Sequence, residues 1–408
     1  MSYKGYIERL KANHPASDAW WDSPTTTYKT HKETLLIKYP SAHTYIDYLM
    51  PDDFSSTGYG LSSVTTNPRL VAKAILTDKD YWGSRFDAST SSCQLLLTQL
   101  STAVVRDGAA MLSARWRKSA KTTGWISAQV DPINVQCIDR MSTQGQALQA
   151  VAENVMVKVP GNAEGLTVVE RLVAQGCSVN VTFCFTVSQF QASITAIERG
   201  KANACQGGVP TGHCKYVITL MIGRITCQTE LQLQAAERGI KLGIEDLRWA
   251  ELMIYQRVQS LTMASPAKIE TLLSSIKVDV DANGRKQCWH LEKTGQTTTL
   301  YTLTPEVVDF LIERESYGDP VAPSSDPIRP PVTTVNRLMQ LPYFIEAYLP
   351  DAIDPFDFSN HEAFINTWSE ASMAHRRLSD YCKMLCAAAG KPTQKPDSLL
   401  TDRIEETL

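Results

Sequence analysis

The stretch Asn154-Val-Met-Val-Lys158-Val-Pro160 places one lysine inside an apolar run with the composition of a buried strand. Proline stops the run because it cannot donate to a strand ladder. Burial disfavours the charged form of an amine, so a lysine at this place can lose its proton and act as a nucleophile. The same pattern suits a lysine whose apolar stem covers the core while its ammonium reaches water. The strand alone leaves both interpretations open.

The residues after Lys158 predict a helix and a second strand. Apolar side chains recur at spacings of three and four over Leu166–Gln175, Gly176 is a helix stop, and an apolar run follows over residues 177–183. A strand, a helix and another strand form the repeating unit of a parallel sheet.

This alternation runs along most of the chain. Strands are predicted near residues 34–38, 61–66, 123–130, 154–159, 177–183, 215–221, 258–263 and 298–303. Eight such units close into an α/β fold, the (β/α)8 TIM barrel, which takes about 250 residues and carries its active site at the C-terminal ends of the strands. A chain of 408 residues has room for this barrel and for extensions.

The chain contains five motifs in order: the loop Val64-Thr-Thr-Asn67-Pro68, the strand Ser127-Ala-Gln129-Val130, the lysine strand with its helix, the strand Asn180-Val-Thr182, and Thr219-Leu-Met221 followed by Arg224. Together they resemble the motifs of the transaldolase and fructose-6-phosphate aldolase family. The resemblance covers about residues 34–310.

The resemblance implies class I aldolase chemistry without a cofactor. Lys158 would attack the carbonyl of a ketose and form a Schiff base, whose iminium withdraws electrons from the neighbouring carbon–carbon bond. Gln129 and Thr182 would position the water that is added and removed at this carbon. These three residues are the predicted catalytic groups.

The resemblance also implies how the substrate is held. Asn67 and Asn180 would bind hydroxyls of a dihydroxyacetone unit, with Thr219 at a position where the family usually has serine. The alternative is structural, because Asn67 can shape the turn before Pro68, and Asn180 or Thr219 can satisfy nearby backbone groups.

A phosphate group would be held by a second set of residues. Arg224 stands where the family has an arginine, and Ser265 matches a serine of the strand-seven loop. Ala267 replaces a second arginine, which removes one charge-assisted contact unless Lys268 substitutes for it. We therefore expect a phosphorylated ketose to gain little over its unphosphorylated counterpart.

Three departures from the family affect the prediction. Gln129 stands where transaldolases have glutamate, although the aldolase branch also has glutamine there, and Met221 replaces the tyrosine of that branch. The first-strand aspartate of the family is missing from Thr34–Pro40, with Asp47 or Asp131 as possible substitutes.

The leading hypothesis is a transaldolase-like transfer of dihydroxyacetone from a ketose, free or phosphorylated, to an aldehyde. The alternatives are a free aldolase and a non-catalytic barrel that serves as a binding or scaffold protein.

The sequence divides into four predicted regions. Residues 1–33, which contain Trp20-Trp21, form a helical extension; residues 34–316 form the barrel; residues 317–332 form a proline-rich connector; and residues 333–408 form helices that pack on the barrel. The last region could serve as a lid or as the contact of a homodimer.

Composition excludes several kinds of partner. A net charge of −3 gives no general attraction to nucleic acid or to anionic membranes.

No stretch approaches the roughly 18 apolar residues that span a bilayer, and residues 1–10 lack a signal core, so we expect a cytoplasmic protein. The ten cysteines show no CxxC spacing, so we expect no metal site. The expected partners are sugars or sugar phosphates of the pentose phosphate kind, within carbohydrate metabolism.

Overall fold

The computed structural model describes residues 5–390, except residues 53, 56–58, 88, 90–91 and 282. The strands are β1 Asp18–Trp21, β2 Ser63–Thr65, β3 Ile126–Gln129, β4 Val155–Pro160, β5 Val179–Cys184, β6 Tyr216–Leu220, β7 Ile269–Leu273, β8 Asp279–Val280, β9 Lys286–Gln287 and β10 Leu300–Leu303. Strands β8 and β9 pair as a small antiparallel hairpin. The other eight form a closed barrel in which β10 lies between β7 and β1. All barrel pairings are parallel, which confirms the predicted (β/α)8 barrel.

Helices surround this barrel and also lie across one of its ends. They are α1 Tyr6–Asn13, α2 Tyr28–Lys38, α3 His43–Leu49, α4 Pro68–Thr77, α5 Lys79–Ser84, α6 Cys93–Lys118, α7 Ile138–Gln149, α8 Ala163–Ala174, α9 Val187–Gln206, α10 Thr229–Glu237, α11 Ile244–Ala264, α12 Trp289–Glu292, α13 Pro305–Ser316, α14 Val332–Leu338, α15 Pro342–Tyr348 and α16 Glu362–Ala388. Among the described residues, no helix combines the length and the apolar character that crossing a membrane requires.

The alternation of side chains along each strand positions the site. Successive residues of a strand face opposite sides, so on β4 Met156 and Lys158 face the same side. Met156 belongs to a buried cluster with Trp20, Trp125 and other residues of the barrel. This cluster fills the barrel interior on the side of the N-terminal ends of the strands. Lys158 lies one layer above, level with Gln129 on β3 and Asn180 on β5.

The prediction of the first strand was wrong. Residues 34–38 belong to helix α2, and the first barrel strand is Asp18–Trp21, inside the segment 1–33 that was predicted as a helical extension. This strand has only four residues and all four are buried, so its sequence shows no alternation of apolar and polar residues. Both tryptophans are buried, Trp20 inside the barrel and Trp21 against Tyr28.

The prediction of the seventh strand was also wrong. Residues 258–263 form the end of helix α11, and the strand begins at Ile269. A short apolar run does not by itself distinguish a strand from a buried helix segment. The remaining six strand predictions overlap the observed strands.

Helix α16 crosses the C-terminal end of the barrel. The Trp368 indole donates to the Pro132 carbonyl at 2.8 Å, and the Asn366 amide donates to Gln228 Oε1 at 2.7 Å. The Phe364 ring packs edge-on against Phe183 of β5. These contacts join the helix to the loops after β3 and β6 and to the end of β5. Residues 391–408 of the predicted C-terminal region lie outside the described residues.

Candidate active site

A cavity of about 530 Å³ lies at the C-terminal ends of the barrel strands. Its floor and walls come from the ends of most barrel strands, and α16 contributes to its rim. The polar residues that line it include Asp22, Thr65, Asn67, Gln129, Lys158, Thr182, Arg224, Ser274, Ser275, Lys277 and Glu370. The structure thus brings together five of the predicted site residues: Asn67, Gln129, Lys158, Thr182 and Arg224.

Lys158 is the buried amine of this cavity, with 7% of its surface exposed. Burial lowers its pKa, and the negative charge of Asp22 opposes that effect without cancelling it. The lysine therefore faces a cavity open to a ligand and does not extend its ammonium into bulk water. The nucleophile interpretation agrees with this position better than the alternative of a lysine that only covers the core.

Asp22 follows β1 directly and was missed by the sequence analysis. Its carboxylate accepts a hydrogen bond from Thr65 Oγ1 at 2.7 Å, and its backbone N–H donates to the Leu303 carbonyl at 3.0 Å. Burial raises its pKa, while Lys158 lowers it. The conclusion that the first-strand aspartate is missing was wrong, because it was drawn from a segment that forms a helix.

Gln129 and Thr182 present unpaired polar atoms near the lysine. Both side-chain polar atoms of Gln129 and the hydroxyl of Thr182 are shielded from solvent and have no hydrogen-bond partner in the described part of the protein. Buried polar groups normally have a partner. These atoms are therefore available to a ligand or to water, as their predicted role requires.

Asn180 and Thr219 form a closed network beside the cavity. The Asn180 amide donates to Ser127 Oγ at 3.0 Å, and its oxygen accepts from Thr219 Oγ1 at 2.7 Å. Neither residue lines the cavity, and Asn180 is fully buried. This arrangement matches the structural alternative, so their contact with substrate stays a prediction.

Asn67 caps a helix and also lines the cavity. Its Oδ1 accepts the Leu70 N–H at 3.0 Å and caps the start of helix α4, whose first residue is Pro68. The residue also lines the cavity. Because the oxygen serves the cap, the amide nitrogen is the group that remains for a ligand.

Ser265 and Lys268 lie far from this site, so their prediction as substrate-binding residues was wrong. Both precede β7 and therefore lie at the N-terminal end of the barrel. The Ser265 hydroxyl donates to Glu198 Oε1 at 2.7 Å, and Lys268 lines a separate cavity with Lys11 and other residues. The error follows from the misplaced seventh strand. Ala267 shares this location and replaces no cavity residue.

The residues that follow β7 take this place in the cavity. They include Ser274, Ser275 and Lys277. Ser275 has a left-handed φ of 59°, a conformation that is costly for residues other than glycine and that clusters at functional sites. The Lys277 N–H donates to His290 Nδ1 at 3.1 Å, and His290 Nε2 is 2.7 Å from Glu251 Oε2. The buried pair of His290 and Glu251 thus fixes the backbone of Lys277.

A model of the Transaldolase/Fructose-6-phosphate aldolase family matches residues 45–357, more than half of the chain. The chain belongs to this family. The matched region contains Lys158, Gln129 and Arg224. Asp22 and Glu370 lie outside it, on β1's end and on α16. These two residues therefore enter the site from segments that the family match does not reach.

Individual relatives are similar at low identity. A transaldolase of Mycobacterium ulcerans (strain Agy99) is 27% identical over 175 residues, which cover 42% of this chain and 47% of the relative. A transaldolase of Thiobacillus denitrificans (strain ATCC 25259 / T1) is 28% identical over 178 residues, 43% of this chain and 50% of the relative. The chain thus spans about half the length of these relatives. A transaldolase of Mycolicibacterium paratuberculosis (strain ATCC BAA-968 / K-10) is 23% identical over 325 residues, 75% of this chain and 84% of the relative.

Proposed function

We propose that the protein transfers a dihydroxyacetone unit from a ketose to an aldehyde through a Schiff base on Lys158. The observation that carries the proposal is the position of this amine, buried at the floor of a cavity of about 530 Å³ with a lowered pKa. An uncharged amine is the form that attacks a carbonyl. Membership of the transaldolase and fructose-6-phosphate aldolase family supports the same chemistry.

The neighbouring side chains act one after another in the reaction. The Lys158 amine adds to the ketone carbon, and loss of water from the carbinolamine gives the iminium. The bond between the third and fourth carbons then breaks, its electron pair moves into the enamine, and the proton of the fourth-carbon hydroxyl passes to Asp22. Burial makes this carboxylate a better proton acceptor because it raises the pKa. An aldehyde leaves, and a second aldehyde reacts with the enamine by the reverse steps.

The unpaired groups of Gln129 and Thr182 suit the handling of water in this sequence. A hydroxyl and an amide can hold a water molecule at the ketone carbon while it leaves and returns. The amide of Gln129 cannot accept a proton as a carboxylate does, so we assign the proton transfers to Asp22.

The cavity rim supports a sugar phosphate as substrate. Arg69, Lys73, Arg224 and Lys277 line it, against the carboxylates of Glu306 and Glu370. Excess positive charge at the mouth of a cavity attracts anionic substrates. We propose pentose phosphate sugars as the substrate class on this basis.

A free aldolase is the second candidate function, and Gln129 favours it, since the aldolase branch also has glutamine there. The two candidates differ in their products. Product formation that requires an aldehyde acceptor indicates transfer, and release of dihydroxyacetone without an acceptor indicates an aldolase. The scaffold alternative depended on the absence of both an aspartate and a glutamate, and Asp22 removes one of these two reasons.

Borohydride trapping tests the nucleophile. Reduction in the presence of fructose 6-phosphate or dihydroxyacetone should attach a three-carbon fragment to the peptide that contains Val157-Lys158-Val159, detected by mass spectrometry. Lys158→Arg should abolish the adduct because a guanidinium stays protonated. Lys268→Arg, at the opposite end of the barrel, is the matched control and should keep it. An adduct that persists in Lys158→Arg would contradict the assignment.

A further inference from the structure

Glu370 brings a carboxylate from the C-terminal helix α16 to the rim of the cavity. Arg224 Nη1 donates to its Oε1 at 2.9 Å, and Arg224 Nη2 donates to its Oε2 at 2.7 Å. Arg69 Nη1 lies 3.8 Å from the same Oε2. A bidentate pair of this kind is the geometry in which arginine binds carboxylate and phosphate groups. Glu370 therefore occupies Arg224 in the way that the anionic group of a ligand would.

The backbone that carries Glu370 is held firmly. Glu362, at the first turn of the helix, accepts the N–H groups of Thr229 and Glu230 at 3.1 and 3.0 Å. The indole of Trp368, two residues before Glu370, donates to the Pro132 carbonyl. The Glu370 side chain itself is 43% exposed. The carboxylate can therefore turn away from Arg224 into solvent while the helix stays in place.

The charge of Glu370 is maintained by its surroundings. The hydrogen bonds from Arg224 lower the pKa of the Glu370 carboxyl, partial burial opposes this effect, and the charges of Arg69 and Lys277 add to the lowering. The carboxylate is thus ionised at neutral pH. An anion that approaches Arg224 meets a negative charge already bound to both outer nitrogens of the guanidinium.

We propose that Glu370 is a specificity-determining residue, an internal anion that competes with the phosphate group of a sugar for Arg224. The competition reduces the preference that the cations of the rim would otherwise give to phosphorylated ketoses and aldehydes. A neutral sugar meets no such competition, because it requires no anion site. For the identity of the substrate this inference rests on the proposed function, whereas the competition itself concerns only an anion and Arg224.

Binding of inorganic phosphate, measured by calorimetry, tests the competition without turnover. Glu370→Gln and Glu370→Ala should each bind phosphate about tenfold tighter than the original chain, which corresponds to about 1.4 kcal/mol. Glu306→Gln is the matched control, since Glu306 lines the same cavity and has no ion pair in the described part of the chain. It should gain much less than either Glu370 variant.

The double variant Arg224→Gln with Glu370→Gln should lose the gain, because the freed guanidinium is what binds the phosphate. A second readout is the ratio of kcat/KM for fructose 6-phosphate to that for fructose, which should rise about tenfold in Glu370→Gln.

The outcomes separate this inference from the proposed function. Equal phosphate affinity in the original chain and both Glu370 variants would overturn the competition, and so would an equal gain in Glu306→Gln. Tighter phosphate binding together with an adduct that persists in Lys158→Arg would support the competition and contradict the assignment of Lys158 as the nucleophile. An adduct on Lys158 without any gain in phosphate affinity in the Glu370 variants would support the Schiff base and overturn the competition.

Discussion

Asp22 and Lys158 line the same cavity, and the charge of each opposes the effect of burial on the pKa of the other. Burial lowers the pKa of Lys158, and the charge of Asp22 raises it; burial raises the pKa of Asp22, and Lys158 lowers it. Asp22 directly follows β1 and Lys158 lies on β4, and these two strands are not neighbours in the barrel. Their coupling gives a test of the mechanism that depends on pH.

Asp22→Asn should change both the rate and its pH dependence. Loss of the proton acceptor should lower kcat/KM by about 10²–10⁴-fold. Loss of the negative charge removes the influence that raises the pKa of Lys158, so the pH midpoint of borohydride trapping should move to lower pH. Asp131→Asn is the comparison, because Asp131 is one of the two substitutes, with Asp47, that the sequence offers for the first-strand aspartate. A larger effect in Asp131→Asn than in Asp22→Asn would contradict the role of Asp22.

His361 should make stability depend on pH. It lies buried between the rings of Phe185 and Tyr343, at centroid distances of 6.2 and 5.0 Å, and neither ring nitrogen has a hydrogen-bond partner among the described residues. Burial lowers the pKa of His361 to about 4. Because the folded pKa lies below the unfolded value of about 6.5, the folded state favours the neutral ring.

The contribution of neutral His361 to the free energy of unfolding is therefore complete above about pH 6.5. It is lost as the pH falls toward 4, and the total loss is about 3 kcal/mol. His361→Phe cannot ionise and should remove this part of the loss, measured as the free energy of unfolding in urea at pH 7 and pH 4. His213→Gln, on the surface, should behave like the original chain. A pH dependence unchanged in His361→Phe would be evidence against this account.

The parts of the site that the sequence predicted correctly are local in sequence. Lys158 and Thr182 lie on strands rich in β-branched residues, and short motifs fix the neighbours of Lys158, Gln129 and Thr182 within a few positions. The predicted strands overlap the observed ones, so the prediction places these side chains at the C-terminal end of the barrel, where the cavity lies. Their chemical roles, like the expected homodimer and cytoplasmic location, stay predictions.

The errors arise where an element is short or a contact is distant. The sequence does not indicate Asp22, because a strand of four residues gives no periodic signal. It does not indicate the residues after β7, because the apolar end of helix α11 has the pattern of a short strand. Lys277 lies in the cavity where Ala267 was expected, so the original reason for a weak phosphate preference no longer holds. Glu370 meets Arg224 across 146 residues, which no local pattern could indicate.

Glu251 should be important for stability. It is fully buried, and it interacts with Thr226, Arg248 and His290 at 2.5, 2.5 and 2.7 Å. Removing one partner of a buried ionic network leaves the others without compensation, so Glu251→Ala should cost about 3–5 kcal/mol of unfolding free energy. Glu306→Ala, at an exposed position, should stay within about 0.5 kcal/mol of the original chain. Similar costs for the two variants in urea unfolding would be inconsistent with this prediction.

Gln129→Glu should keep the fold and increase transfer. The Gln129 amide has no partner to lose among the described residues, and a carboxylate of the same shape adds a proton acceptor beside the site of water loss. Acid–base catalysis contributes about 10²–10⁴-fold where the geometry is suitable, so we expect a gain of at least about tenfold in transfer from fructose 6-phosphate to an aldehyde acceptor. Gln129→Ala, which removes the polar group, should lower the same rate. If Gln129→Glu abolishes activity while its thermal unfolding is unchanged, Gln129 does not serve the water at the ketone carbon, and Thr182 would have to position it alone.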